Sequence, residues 1–269
     1  MNFVCPKCRG ALTLSGGAAK CPLGHSFDRA KEGYFNLLLS SVGGTHGDNR
    51  EMTLARRAFL DTGAYFPLAD TVAMLAEKYL SGKRVLDIGC GEGYYTDIIE
   101  RRLSSKKDAE VFAFDISRDA VKRAAKRNHA LSLAVASAYH MPVADGSFDV
   151  AINLFSPLAR EEIHRALAPL GIFIMAIPAE NHLFSLKRVL YENPYKNEVQ
   201  PSFLEGFSLI EERRLCYDIE LSSGENIASL FKMTPYAYRT PREARERLFS
   251  LTSLKVEADF TVFVYRRDE

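Results

Sequence analysis

Four metal-ligating side chains stand close together at the start of the chain, in the order Cys5, Cys8, Cys21 and His25. The pattern is C-x2-C-x12-C-x3-H. Two cysteines three positions apart make a tight knuckle that aims both sulfurs at one ion, and the second pair completes a tetrahedron. Three thiolates and one imidazole suit Zn2+. Pro6, Gly10, Pro22 and Gly24 supply the turns. A segment of about 25 residues is too small to bury a core of its own, so a metal supplies the missing stability. Protein fills all four positions, which makes the site structural rather than catalytic. The alternative is a disulfide. The first residues, MNFVCPKC, lack the basic-then-apolar run of an export signal that would favour one. Cys90 and Cys216 have no partner in sequence and read as packing residues.

A second cluster lies at 85–96, VLDIGCGEGYYT. An apolar run carries Asp87, and Gly89, Gly91 and Gly93 follow at two-residue intervals. Glycine lets a backbone turn sharply and lets a ligand approach without meeting a Cβ. A dinucleotide loop reads G-x-G-x-x-G and holds a pyrophosphate. Here the spacing is G-x-G-x-G with an acid two residues ahead. That acid repels a pyrophosphate and suits an ammonium group. Asp115 closes the next apolar run, where a carboxylate takes the hydroxyls of a ribose. A ligand with an ammonium end, a ribose and no phosphate is S-adenosylmethionine.

The elements that must position these residues follow from periodicity. Strands are expected at 84–88, 110–115, 131–136, 148–154 and 171–177, and long strands at 207–221 and 254–266. The last two read as an antiparallel pair at the sheet edge. Helices are expected at 51–62, 66–80, 94–103, 118–128 (with Ser117 as N-cap), 158–167, 224–232 and 241–250, and a short one near 139–141. Strands alternating with helices give an α/β fold, a doubly wound and mostly parallel sheet of seven strands. Residues 1–36 form the zinc module, 37–82 a linker and helical lead-in (with 40–50, SSVGGTHGDNR, as a loop), and 83–269 the ligand-binding domain.

VLDIGCGEGYYT with FAFDIS, and ASAYHMPVADGSFDVAI further on, resemble the motifs of class I S-adenosylmethionine-dependent methyltransferases. The whole chain is similar to the bacterial large-subunit ribosomal RNA (guanine-N(1)-)-methyltransferases, the group that includes the tylosin-resistance enzymes. The zinc pattern carries that likeness, together with HSFDRAKEGYFNLL (25–38), ARRAFLDTGAYFPL (55–68), IPAENHL (177–183) and MTPYAYR (233–239). Two segments depart from it: LAPLGIF stands where such enzymes often have Lys-Pro-Gly-Gly, and NLFSPL is a variant fourth-strand end. The resemblance implies a Rossmann-like fold and a 23S ribosomal RNA substrate. It adds Tyr65, Gly91, Glu92 and His182 to Asp87, Gly89 and Asp115 as cofactor contacts, with Ser137 at the adenine. Asn153, Phe155 and Ser156 line the guanine pocket. Tyr94, Tyr95 and Phe155 offer faces for stacking. No side chain is singled out as the general base.

Net charge is +1 over 269 residues, so a whole-chain imbalance does not point at nucleic acid. The RNA-facing patch is local: Lys7, Arg9, Lys20, Arg29 and Lys31 against Asp28 and Glu32, with Arg56 and Arg57 beyond. Arg101–Arg102, Lys106–Lys107 and Lys122–Arg127 read as solubility features on outer helix faces. No apolar run is long enough for a membrane span, and the cytoplasm is expected. A homodimer stays open. Two rivals share these features: a methyltransferase acting on a small molecule or another RNA, and an RNA-binding protein with a degenerate core. Calorimetry with the cofactor separates the last from both enzymes.

Overall fold

Five apolar runs, with a helix in each gap but the one between the third and fourth strands of this run, form the centre of one sheet in the computed structural model, which describes residues 3–39, 49–198 and 202–269. The N-terminal module carries three short strands, β1 (Thr13–Ser15), β2 (Ala18–Lys20) and β3 (Ser26–Asp28), in one antiparallel sheet, followed by β4 (Phe35–Asn36). Helices α1 (Arg50–Leu60) and α2 (Phe66–Tyr79) lead into the alternating part. Its elements are β5 (Arg84–Ile88), α3 (Tyr94–Lys107), β6 (Glu110–Asp115), α4 (Arg118–Arg127), β7 (Ser132–Val135), β8 (Phe148–Leu154), α5 (Arg160–Ala166) and β9 (Leu167–Pro178). Then come α6 (Phe184–Leu190), β10 (Phe207–Leu221), α7 (Gly224–Lys232), α8 (Tyr236–Arg239), α9 (Arg242–Phe249) and β11 (Leu254–Arg267). Most of the expected loop at 40–50 lies outside the described residues.

The strand order is β10-β11-β9-β8-β5-β6-β7-β4. Strands β4 to β9 of this sheet run parallel, and β11 enters antiparallel between β9 and the edge strand β10. The order reverses between β5 and β8, and ligands of doubly wound sheets bind at such a point. The expected parallel core and antiparallel edge pair are both present. The sheet has eight strands among the described residues rather than seven. The extra one, β4, is two residues long, too short to show a period of two, and it pairs parallel with β7. The helix expected at 139–141 does not form. Ser137 Oγ accepts the Tyr139 N–H at 3.2 Å, and Ser137 bridges to His140, so this stretch is a turn. Helix α6, seven residues long, and the four-residue α8 were not foreseen.

Caps set the helix starts. Asn49 Oδ1 accepts the Met52 N–H at 2.9 Å, and Ser117 Oγ accepts that of Ala120 at 3.4 Å. Gly63, at φ +80°, ends the turn after α1.

One face of the sheet is covered by α2, α3 and α4 with the α6–α9 group. The other is covered by α5 and by the zinc module. Phe3, Cys5, Leu12, Ala19 and Cys21 share one apolar cluster with Leu86, Ile88, Phe112 and Phe148 from the sheet. Phe3 meets Phe112 edge-on, with centroids 5.7 Å apart. Arg9 fastens the junction: its guanidinium donates to Met141 O and Val143 O, both at 2.8 Å, and pairs with Asp145.

Candidate active site

The metal ligands meet as the spacing requires. Cys5 Sγ, Cys8 Sγ, Cys21 Sγ and His25 Nδ1 lie within 4.8 Å of one another. Cys8 and Cys21 sulfurs are 3.6 Å apart, and His25 Nδ1 is 3.4 Å from Cys5 Sγ and 3.3 Å from Cys21 Sγ. A tetrahedron with zinc–sulfur bonds of about 2.3 Å has edges of about 3.8 Å, so the four atoms fit zinc. A disulfide needs sulfurs about 2.0 Å apart, and all five cysteines are free. Cys90 is buried as expected. Cys216 is exposed, because it occupies an outward position on the edge strand β10.

At the carboxyl end of β5 the backbone bends through Gly89, Gly91 and Gly93, at φ +75°, +55° and +84°. The left-handed region favours glycine. The three differ in what stands against them. A Cβ on Gly89 would lie 2.4 Å from Ser156 Cβ, and one on Gly93 would lie 2.9 Å from Ala124 Cβ. Ahead of Gly91 no atom lies within 4 Å. Gly89 and Gly93 are therefore tight against protein, and Gly91 faces open space. Asp115 organises the loop: Oδ2 accepts the Gly91 N–H at 2.9 Å and Oδ1 that of Ser117 at 2.7 Å. Asp87 is buried, and its Oδ2 accepts the Thr96 hydroxyl at 2.5 Å. Burial pushes its carboxyl up to about 7, with the Thr96 bond opposing and the Asp115 charge adding. This cradle of bare backbone with two acids fits S-adenosylmethionine.

Glu92 has its carboxylate in another contact. It is 2% exposed, and Arg127 of α4 grips it through Nε and Nη2 at 2.8–3.1 Å. The same Nη2 reaches Asp61 at 2.7 Å. Arg127 thus ties the glycine loop to the turn between α1 and α2, and the Tyr94 ring lies 5.7 Å beneath it. It is not a solubility feature. Nor is Arg102, which pairs with Asp70 and Glu77. Lys122 pairs with Glu32 across the module junction. The side chains of Lys106 and Lys107 lie outside the described residues.

Tyr65, at the start of α2, and His182, after β9, converge. Tyr65 Oη is 3.2 Å from His182 Nε2. Both are buried. Burial lowers His182 to about 4, with Asp259 opposing. Phe260 packs against both rings and against Phe155, and Phe155 in turn meets Tyr95. An aromatic wall thus runs from His182 to the end of β8. Phe155 is 44% exposed at its lip, at φ +60°. Tyr94 is buried. Asn153 donates to Pro157 O at 3.1 Å and Ser156 Oγ to Ile88 O at 2.8 Å, so both hold the loop that presents Phe155. Ser137 lies two residues past β7, whose Val135 sits opposite Asp115.

Sequence reasoning missed Thr96, Arg127, Asp259 and Phe260. Thr96 stood inside the quoted motif. Arg127 was hidden by the basic helix around it. Asp259 and Phe260 come from a strand with no local motif. Asp259 is fully buried and takes a two-pronged bond from Arg214 at 2.8 and 2.9 Å.

Comparison with known proteins agrees with both halves. Residues 3–39 match the family described as RlmA, N-terminal, a zinc ribbon, and residues 80–226 match the family described as methyltransferase domain. The 23S rRNA (guanine(748)-N(1))-methyltransferase of Streptomyces fradiae is 37% identical over 186 residues, covering 68% of this chain and 65% of its own length. A protein of Bacillus subtilis strain 168, provisionally named 23S rRNA (guanine-N(1)-)-methyltransferase YxjB, is 30% identical over 97% of this chain and 96% of its own. A provisionally named counterpart from Micromonospora griseorubida is 29% identical over 92% and 91%. With a zinc ribbon whose four ligands converge and a methyltransferase core whose glycine cradle is intact, this chain belongs to the 23S rRNA (guanine-N(1)-)-methyltransferase family.

Proposed function

We propose that this chain transfers a methyl group from S-adenosylmethionine to N1 of a guanine in a hairpin loop of 23S ribosomal RNA. One observation carries the reading: the glycine loop, open at Gly91 and tied to Asp115, abuts at Gly89 the Ser156 loop that presents exposed Phe155. The bound cofactor supplies an electrophilic methyl on a sulfonium. Asp87 receives its ammonium end, Asp115 accepts from the ribose hydroxyls, and Ser137 stands at the adenine. Tyr65 and His182 close the opposite side. The backbone of Gly89, Gly91 and Glu92 forms the floor, with the Glu92 carboxylate turned to Arg127.

Methyl transfer is an in-line displacement that needs placement above all. Guanine N1 bears a hydrogen and lies on the Watson–Crick edge, so the base must be unpaired and held by stacking. Phe155 offers a face for it, and Asn153 and Ser156 fix the loop that carries Phe155. The zinc module presents Lys7, Lys20 and Lys31 to solvent, and these suit phosphates.

The test incubates the enzyme with labelled cofactor and naked 23S ribosomal RNA from a deletion strain, then digests the RNA to nucleosides. Label in N1-methylguanosine is expected. Label in another base, or on a small metabolite and not on RNA, overturns the reading.

A further inference from the structure

We propose that Tyr195 is a stacking platform for a nucleobase beside the target guanine. This rests on the RNA-methylating reading above.

Tyr195 is 58% exposed, yet its ring is held from below. The Lys187 ammonium lies under it, 4.4 Å from the ring centroid. Lys187 is itself fully buried. It donates to Tyr195 O at 3.1 Å and to Asn197 Oδ1 at 2.7 Å, and both acceptors are neutral. Tyr236, from the MTPYAYR stretch that the cofactor site leaves unused, stands 5.6 Å from the same ammonium. Tyr191 packs at 5.9 Å from the Tyr195 ring. Keeping an ammonium buried on neutral acceptors is costly. What it secures here is one ring in one orientation, with its exposed area left on the side away from Lys187.

The loop that carries this ring borders the His182 side of the proposed methyl-transfer cleft. It is stapled to the turn that carries His182. Asn197 N–H donates to Glu180 O at 2.9 Å, and Asn197 Nδ2 donates to Ala179 O at 2.8 Å and His182 O at 3.4 Å. Lys196 pairs with Glu180 at 3.0 Å. A fixed, exposed aromatic at the rim of a site that must take an unpaired base suits a neighbouring splayed base. Such stacking is tolerant of sequence, because every base has a π-face.

The chain contains no tryptophan, so Tyr195→Trp introduces a sole indole reporter at the platform. Its emission should be quenched saturably by naked 23S ribosomal RNA. Tyr195→Ala should raise KM for the RNA about 5- to 150-fold, the range for loss of one base–aromatic stack. It should leave kcat and cofactor affinity within about twofold, and Tyr195→Phe should restore KM, because stacking needs the ring and not the hydroxyl. An unchanged KM in Tyr195→Ala, or emission in Tyr195→Trp that does not respond to RNA, overturns the platform while the methylation reading stands. Wild-type enzyme that leaves the RNA unlabelled overturns the function proposed above, and the platform with it.

Discussion

The main-chain N–H of Asp259 points at Nδ1 of His182 across 3.3 Å, and this decides where the protons of the His182–Tyr65 pair lie. An accepting Nδ1 carries no proton. Neutral His182 then holds its proton on Nε2 and donates it to Tyr65 Oη, 3.2 Å away. Burial pushes the Tyr65 hydroxyl well above its ordinary range, so it stays protonated. Its own hydrogen is then not taken up by His182.

This arrangement is checked by nitrogen NMR of the imidazole. His182 should show protonated Nε2 and bare Nδ1 from pH 8 down to pH 5, since burial lowers it to about 4. An imidazolium at pH 6 contradicts the assignment. Tyr65→Phe should weaken cofactor binding about three- to tenfold, the worth of one neutral hydrogen bond.

Asp87 should make cofactor binding sensitive to acid. In the role proposed for it the carboxylate faces the ligand's ammonium, and burial places this carboxyl at about 7 in the free protein. As pH falls below about 7 the group takes up a proton that binding must expel. Affinity should therefore drop about tenfold per unit between pH 7 and 5. Asp87→Asn should bind weakly and show no such slope. Calorimetry at several pH values decides it, and a flat wild-type profile rejects the role.

The two glycines should fail differently. Gly89→Ala drives a methyl into Ser156 and should lower stability by about 1–3 kcal/mol by overpacking alone. Gly91→Val meets no protein atom at its Cβ and bears chiefly the left-handed backbone, about 1–2 kcal/mol. It should still fold and yet lose the cofactor. Melting curves with and without ligand separate the two, and equal ligand-induced stabilisation of Gly91→Val and wild type sinks the placement.

Arg127 should matter to stability far more than its place on a basic helix suggests. Arg127→Ala leaves the Glu92 carboxylate buried without its partner, a loss of about 3–5 kcal/mol. Arg127→Lys should rescue little, because a point ammonium cannot reproduce the two-pronged grip. Denaturant titration measures both. A variant within about 0.5 kcal/mol of wild type would show the bond to be ornamental.

Protein purified without chelator should carry about one zinc. Cys21→Ala should remove it and lower the melting temperature of the whole chain, because the module forms part of the cover over one face of the sheet. A metal-free variant that melts like wild type contradicts that packing.

What the sequence determined by itself was local. Cysteine spacing named the zinc ligands, since a knuckle and a nearby second pair need no distant partner. Glycine spacing with Asp87 and Asp115 named the cofactor, because strand, turn and helix start are contiguous. Apolar runs of a single period gave the parallel core. The tertiary structure decided everything that joins remote segments. The zinc module packs on the sheet through Phe3 and Arg9, whose partners lie more than 100 residues away. Arg127 turns inward to Glu92 from a helix whose composition points outward. Asp259 and Phe260 complete a site begun at Tyr65, almost 200 residues earlier. Hydrogen bonds and ring contacts depend on distance in space, and a linear pattern records distance only along the chain.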